Sequence, residues 1–159
     1  MLPLVAIITV SRSEVRFVEQ LSERQKLVIE ELKAVQNIIN RMASNSFRLK
    51  AWTVTLVVGT LLLRGDRFQS FIAFIPIIAF WYLDAYFLWL ERLYRRLYDW
   101  IRLNRPTTDE HLFDMNYKRF TKEEQSRLRI MFSLTLGWFY GSIFILCLIY
   151  VVFAVAKGG

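Results

Sequence analysis

The sequence predicts an all-α integral membrane protein: a long N-terminal amphipathic helix, a short transmembrane hairpin and a third transmembrane helix. The composition is 55% hydrophobic and 22% charged over 159 residues, and the two kinds of residue alternate in blocks along the chain. The last block, 130–156, has no charged residue and is long enough to cross a hydrocarbon core of ~30 Å. Such segregation is typical of a chain that folds in a bilayer.

The first element is an amphipathic helix within the segment 1–50. From position 18, the positions spaced alternately three and four residues apart are mostly apolar. They are Val18, Leu21, Gln25, Val28, Leu32, Val35, Ile39, Met42, Ser46 and Leu49. This spacing predicts a coiled-coil or bundle seam, centred on Leu32, Val35 and Ile39. The intervening Glu23, Lys26, Glu30, Glu31, Lys33 and Arg41 predict a solvated face. Packing against a later helix of the same chain and self-association both remain open.

The hairpin, 51–90, contains two uncharged runs of equal length, 51–63 and 71–83, joined by the turn RGDRFQS. Each run covers only about 20 Å as a helix. A thin hairpin therefore needs flanking basic side chains that snorkel; alternatively, the two runs are re-entrant or are buried from lipid within an oligomer. Their equal length and the short turn favour the matched hairpin. Pro76 predicts a kink in the second helix.

Segment 91–129 continues the second helix with an apolar stripe and ends in a loop. We expect this extension to pair, antiparallel, with the N-terminal helix. Thr121 and Glu124 fit a capping box that would start the helix leading into the third crossing, 130–157.

The charge distribution predicts the topology. Most of the 21 Lys and Arg residues lie in 1–50 and 91–129. The positive-inside rule then places the N-terminus and the middle segment on the cytoplasmic side of a multi-pass chain with three crossings. Both segments also carry acids and neither has a basic run, which argues against nucleic acid as the partner.

Asp84 is an acidic residue within the aromatic run FWYLDAYFLW. A carboxylate close to lipid is costly unless it is paired. If the hairpin ends match, Asp84 lies at the depth of Lys50, so we predict an interfacial ion pair with Lys50 or Arg48. An ion or proton pathway through Asp84 is the alternative.

Small residues recur four apart in the third crossing, at Ser133, Gly137 and Gly141. This spacing lets transmembrane helices approach closely, either within one chain or between chains. No catalytic site, metal site or cofactor is predicted, because phosphate-binding glycine loops, nucleophile elbows and HExxH patterns are missing from the sequence.

The stretches INRMASNSFRLKAWTVTLV (39–57) and FWYLDAYFLWLERLYRRLYD (80–99) resemble a family of small, uncharacterised bacterial multi-pass membrane proteins. The layout is also similar to two-transmembrane effectors of anti-phage defence systems. Together with the seam and the short spans, this predicts a homo-oligomeric effector that permeabilises or depolarises the inner membrane, with the bilayer and copies of itself as partners. One alternative is a non-conducting adaptor that recruits a cytoplasmic protein through 12–45 or 103–120. Another is a small channel or transporter subunit.

Overall fold

A computed structural model describes residues 12–62, 71–105 and 107–157. The predictions for residues 1–11 and for the hairpin turn, 64–70, lie outside these ranges. The described residues form α1 (Arg12–Leu62), α2 (Phe74–Asn104), a 3-10 helix (Tyr117–Glu123), α3 (Arg127–Met131) and α4 (Leu134–Lys157). The all-α prediction is confirmed for this part of the chain.

Helix α1 is one continuous helix that passes from a charged to an apolar composition. The sequence suggested two elements meeting near residue 50, but no proline or glycine interrupts the backbone there, so the hydrogen-bond ladder continues. In the apolar part, Thr53, Thr55 and Thr60 donate their hydroxyls to carbonyl oxygens four residues earlier, at 2.8, 3.0 and 2.7 Å. Their polar atoms are thus satisfied without water.

Helices α1 and α2 form a long antiparallel pair, as expected. Val35 and Ile39 of α1 share a buried cluster with Leu97 and Ile101 of α2, and Leu32 packs against it. The centre of the predicted seam is therefore occupied by the chain's own second helix. Packing within one chain, rather than self-association, accounts for these three seam residues.

The seam continues beyond the end of α2, where no helix among the described residues covers it. Val18 and Leu21 are 63% and 44% exposed, because α2 ends at Asn104 and cannot reach the first turns of α1. The start of α1 therefore projects from the bundle with an open apolar stripe.

Pro76 lies in the first turn of α2. Residues 71–72 are helical, Ala73 interrupts the helix, and the regular helix begins at Phe74. Proline lacks the N–H that would bond to the carbonyl of Ile72, four residues earlier. The helix is therefore interrupted in the turn where this hydrogen bond is missing.

Helix α4 packs against α2 through aromatic side chains. The rings of Trp81 and Tyr140 stack with centroids 5.8 Å apart, and Phe74 meets Phe144 edge-on at 4.9 Å. The Trp81 indole also donates to the carbonyl of Met131 at 2.8 Å, where α3 ends. The uncharged run 130–156 is thus broken, and its long helix begins only at Leu134.

The predicted capping box is wrong. Thr121 lies inside the 3-10 helix, and the backbone at Glu124 is extended. The Glu124 carboxylate instead pairs with Arg92 and Arg96 of α2, at 3.5 and 2.9 Å. Two guanidinium groups are stronger partners for a carboxylate than one backbone amide. Ser126 caps α3, where its side chain accepts from the N–H of Arg129.

Two helices are long and apolar enough to cross a membrane, Phe74–Asn104 and Leu134–Ala156. Only 28% and 17% of their most apolar stretches are buried inside the chain. Large apolar side chains instead point outward from all three long helices and form an apolar belt, whose main members are Trp52, Val54, Leu56, Val58, Ile75, Ile78, Trp138, Ile145, Leu146, Ile149, Val152 and Phe153. An exposed apolar area of this kind is typical of a surface that meets lipid or a partner.

Candidate functional site

The carboxylate of Asp84 is fully buried at the point where α1, α2 and α4 meet. Lys50 Nζ lies 2.6 Å from Asp84 Oδ2, and the Tyr140 hydroxyl donates to the same oxygen at 3.1 Å. The Ser46 hydroxyl donates to the other oxygen, Oδ1. Ser46, Lys50, Asp84 and Tyr140 are called the Asp84 cluster below.

The spacing on α1 explains why two of its residues reach one carboxylate. Ser46 and Lys50 are four residues apart and therefore lie on the same face of the helix. Lys50 Nζ also donates to Ser46 Oγ at 2.7 Å. The Lys50 side chain remains 22% exposed, so its ammonium lies at the rim of the cluster, whereas Asp84 lies inside.

Three donors from two other helices satisfy the Asp84 carboxylate. A buried ion pair adds little net stability, but removing one partner is expensive because a charge is left without compensation. The Asp84 cluster therefore favours one arrangement of the three helices over others.

Of the two predicted partners of Asp84, Lys50 contacts it and Arg48 does not. Arg48 donates to the side chain of Asn45 on the exposed side of α1, because a residue two positions from Lys50 points to a different face of the helix. Sequence reasoning missed the roles of Ser46 and Tyr140. A polar residue in an apolar seam, one turn before a lysine, was the available signal for Ser46; Tyr140 carried none.

A second buried ion pair joins α1 to the segment after α2. Arg105 forms two hydrogen bonds with the Glu31 carboxylate, at 2.7 and 2.6 Å, and both side chains are 1% exposed. The prediction that Glu31 lies on a solvated face is wrong. The loop that follows α2 folds back over this face and covers it.

The Glu31–Arg105 pair also holds the loop 107–113. Arg105 donates to the carbonyl oxygens of Glu110 and His111, at 2.8 and 3.2 Å. The Phe113 N–H donates to the Glu31 carboxylate at 3.0 Å. His111 and Phe113 both have positive φ, 60° and 56°, a conformation that these bonds stabilise in place of regular structure.

His111 lies 3.3 Å from the Glu110 carboxylate and 3.8 Å from that of Asp114. Within the described ranges, no group of three or more His, Cys, Asp or Glu side chains is arranged to hold a metal ion.

Gly137 and Gly141 lie on an open side of α4, whereas Ser133 precedes the first residue of that helix and its hydroxyl is buried. A Cβ added at Gly141 would meet no atom within 4 Å, and one at Gly137 would meet only the Phe132 backbone, at 3.8 Å. Trp138, Ile145 and Leu146 are exposed beside them. The six residues from Ser133 to Leu146 named here line a shallow groove, called the α4 groove below. Helix packing within the described part of the chain does not use it.

Comparison with protein-family models, with curated proteins and with solved structures finds no match to this chain. The family resemblance drawn from 39–57 and 80–99 stays a prediction.

Proposed function

We propose that the chain is a three-crossing protein of the bacterial inner membrane. The apolar belt supports this, because it surrounds a bundle whose described apolar stretches, 51–62, 71–83 and 130–156, have no charged residue. Lys50 and Asp84 lie at one limit of these stretches, where a paired charge is tolerated. The basic segments beyond that limit favour a cytoplasmic location for the start of α1 and the loop 107–113.

The functional unit in this proposal is a homo-oligomer assembled through the α4 groove. Its glycines are open, so a neighbouring helix can approach the backbone of α4 closely. The Ser133 hydroxyl is buried and has no hydrogen-bond partner among the described residues.

We infer that the oligomer permeabilises or depolarises the membrane. The Asp84 carboxylate is enclosed by its donors, which argues against an ion path through a single chain and favours one between chains. Ser142, which is exposed on the groove, would provide a hydroxyl along such a path. The open α4 groove is the observation that carries this proposal.

The test is the membrane potential of bacteria during induced expression, followed with a voltage-sensitive dye. The wild type should depolarise the cells, and Gly141→Leu should not, because leucine blocks close approach between α4 helices. Gly59→Leu is the matched control: a Cβ at Gly59 also meets nothing within 4 Å, but Gly59 lies on α1, away from the groove. Depolarisation by the Gly141 variant, together with unchanged oligomers on crosslinking, would refute the proposal.

A non-conducting adaptor is the second candidate, and the open stripe at Val18 and Leu21 favours it. A photo-crosslinking residue at position 18 distinguishes the two functions. Adducts with a cytoplasmic protein, in cells whose potential is unchanged, would support an adaptor. Adducts between copies of the chain, in depolarised cells, would support the oligomeric effector.

A further inference from the structure

A pocket of about 610 Å³ lies between α2 and the start of α3, together with the residues just before α3. Its lining includes Tyr82 and Trp89 from α2, and Ser126, Arg127 and Leu128 from the other side. Tyr82 and Leu128 are 46% and 63% exposed. The pocket is thus an open site with aromatic, hydroxyl and cationic groups on its walls.

Arg127 is the cation of this pocket. Its guanidinium lies over the rings of Trp89 and Tyr86, with 4.4 and 5.2 Å to the ring centroids. Stacking of this kind positions a guanidinium and leaves its N–H edge free to bind an anion. The side chain has no ion pair or hydrogen bond with another described residue.

Glu124 is the acid on the pocket wall, and it does not compete for Arg127. Its carboxylate is bound by Arg92 and Arg96, and its side chain is only 7% exposed. The exposed Lys122 and Arg129 add positive charge nearby in the chain. An anion that enters the pocket therefore meets an unpaired guanidinium in basic surroundings.

The position of the pocket indicates which class of anion it binds. Arg129 is the last charged residue before the uncharged run of α4, and Phe132 and Leu134, which follow it, are 70% and 80% exposed. The pocket therefore opens at the edge of the apolar belt, where phosphate groups and acyl chains of a bilayer would meet.

We propose that this pocket binds an anionic phospholipid of the cytoplasmic leaflet. Arg127 binds the phosphate through its N–H edge, and the Ser126 hydroxyl donates to the same group. Tyr82 and Leu128 contact the upper part of the acyl chains. This inference rests on the proposed membrane location.

The test titrates the detergent-purified full chain with phosphatidylglycerol or phosphatidylcholine and counts bound lipids by native mass spectrometry. The wild type should bind phosphatidylglycerol more tightly. Arg127→Gln should weaken that binding about fivefold, the effect of one basic residue at a lipid headgroup, and leave phosphatidylcholine binding unchanged. Equal affinity of wild type and Arg127→Gln for phosphatidylglycerol would overturn the proposal.

Arg119→Gln is the matched control. The Arg119 guanidinium also stacks on an aromatic ring, 4.8 Å from the Trp100 centroid, but at the end of the bundle where the Glu31–Arg105 pair lies. Its substitution should leave lipid binding unchanged; an equal loss in this variant would show that any arginine serves, and would overturn the specific site.

Two further measurements distinguish a lipid phosphate from free phosphate, and the lipid pocket from the proposed membrane location. Arg127-dependent binding of inorganic phosphate, without a preference for phosphatidylglycerol, would overturn the lipid assignment. Release of the protein from isolated membranes by alkaline carbonate would refute the membrane location, whereas the lipid titration in detergent reports on the pocket alone.

Discussion

Replacing Lys50 with methionine removes the cation of the Asp84 cluster and keeps most of its side-chain volume. The Asp84 carboxylate then stays fully buried, with Ser46 and Tyr140 as its remaining donors. We expect this variant to lose more stability than Asp84→Asn, although each substitution removes one partner of the same ion pair.

The two variants should differ in stability because the Asp84 carboxylate is buried, whereas the Lys50 side chain is partly exposed. Breaking a buried pair costs about 3–5 kcal/mol when the remaining charge has no route to water. Two hydrogen bonds to the carboxylate persist in Lys50→Met, so we expect about 3 kcal/mol, the lower limit of that range. In Asp84→Asn the lysine is left, and its partly exposed stem lets the ammonium move outward, so we expect ~1–2 kcal/mol.

The double variant completes the comparison. With both charges removed, no uncompensated ion remains, and the loss should be ~1–2 kcal/mol, well below the sum of the single losses. The free energy of unfolding is measured by titrating SDS into protein in a mild detergent, with tryptophan fluorescence as the signal. The reasoning is refuted if Lys50→Met costs no more than Asp84→Asn, or if the two losses add.

Two further predictions concern the segment between α2 and α4. Arg105→Lys keeps the charge but loses the paired hydrogen bonds to Glu31. Hydrogen exchange at the Phe113 amide should therefore accelerate about tenfold or more. An unchanged exchange rate would contradict the conclusion that this ion pair stabilises the loop. Burial acts to raise the pKa of Glu124, but hydrogen bonds from Arg96 and from the next backbone amide, with the nearby guanidinium charges, outweigh it and lower that pKa below its ordinary 4.5. Its stabilisation is therefore present above that value and lost as the pH falls through the lower folded pKa. Glu124→Gln should destabilise the protein near pH 7, and its difference from the wild type should shrink as the pH falls through the folded pKa; a difference that stays constant with pH would refute the assignment.

The helices and the Lys50–Asp84 contact were predictable because they depend on local pattern. The spacing of apolar residues in α1 marks its buried face, and the uncharged runs before and after the turn bring the two charges to matching depths. An antiparallel pair with these ends in register places Lys50 beside Asp84 without any knowledge of the loops.

The positions at which helices are interrupted or begin were harder to predict. The run 130–156 reads as one helix, yet it is interrupted near Ser133, where the indole of Trp81 on α2 donates to the carbonyl of Met131. The capping box at Thr121 failed for a related reason, since Glu124 finds two arginines on α2 that no local pattern reveals.

Composition and periodicity are enough to predict that this protein is helical, that its charged and apolar segments are separate, and that its basic segments lie together beyond the apolar ones. Which polar side chains are buried, and which small residues stay open, depends instead on contacts between elements distant in the chain. Glu31 looks solvated until Arg105, 74 positions away, and the loop after it cover it, and Gly141 is equally suited to contacts within or between chains until α4 turns it outward. Helix formation depends on neighbours in the chain, whereas the cost of burying a charge depends on partners brought in from elsewhere.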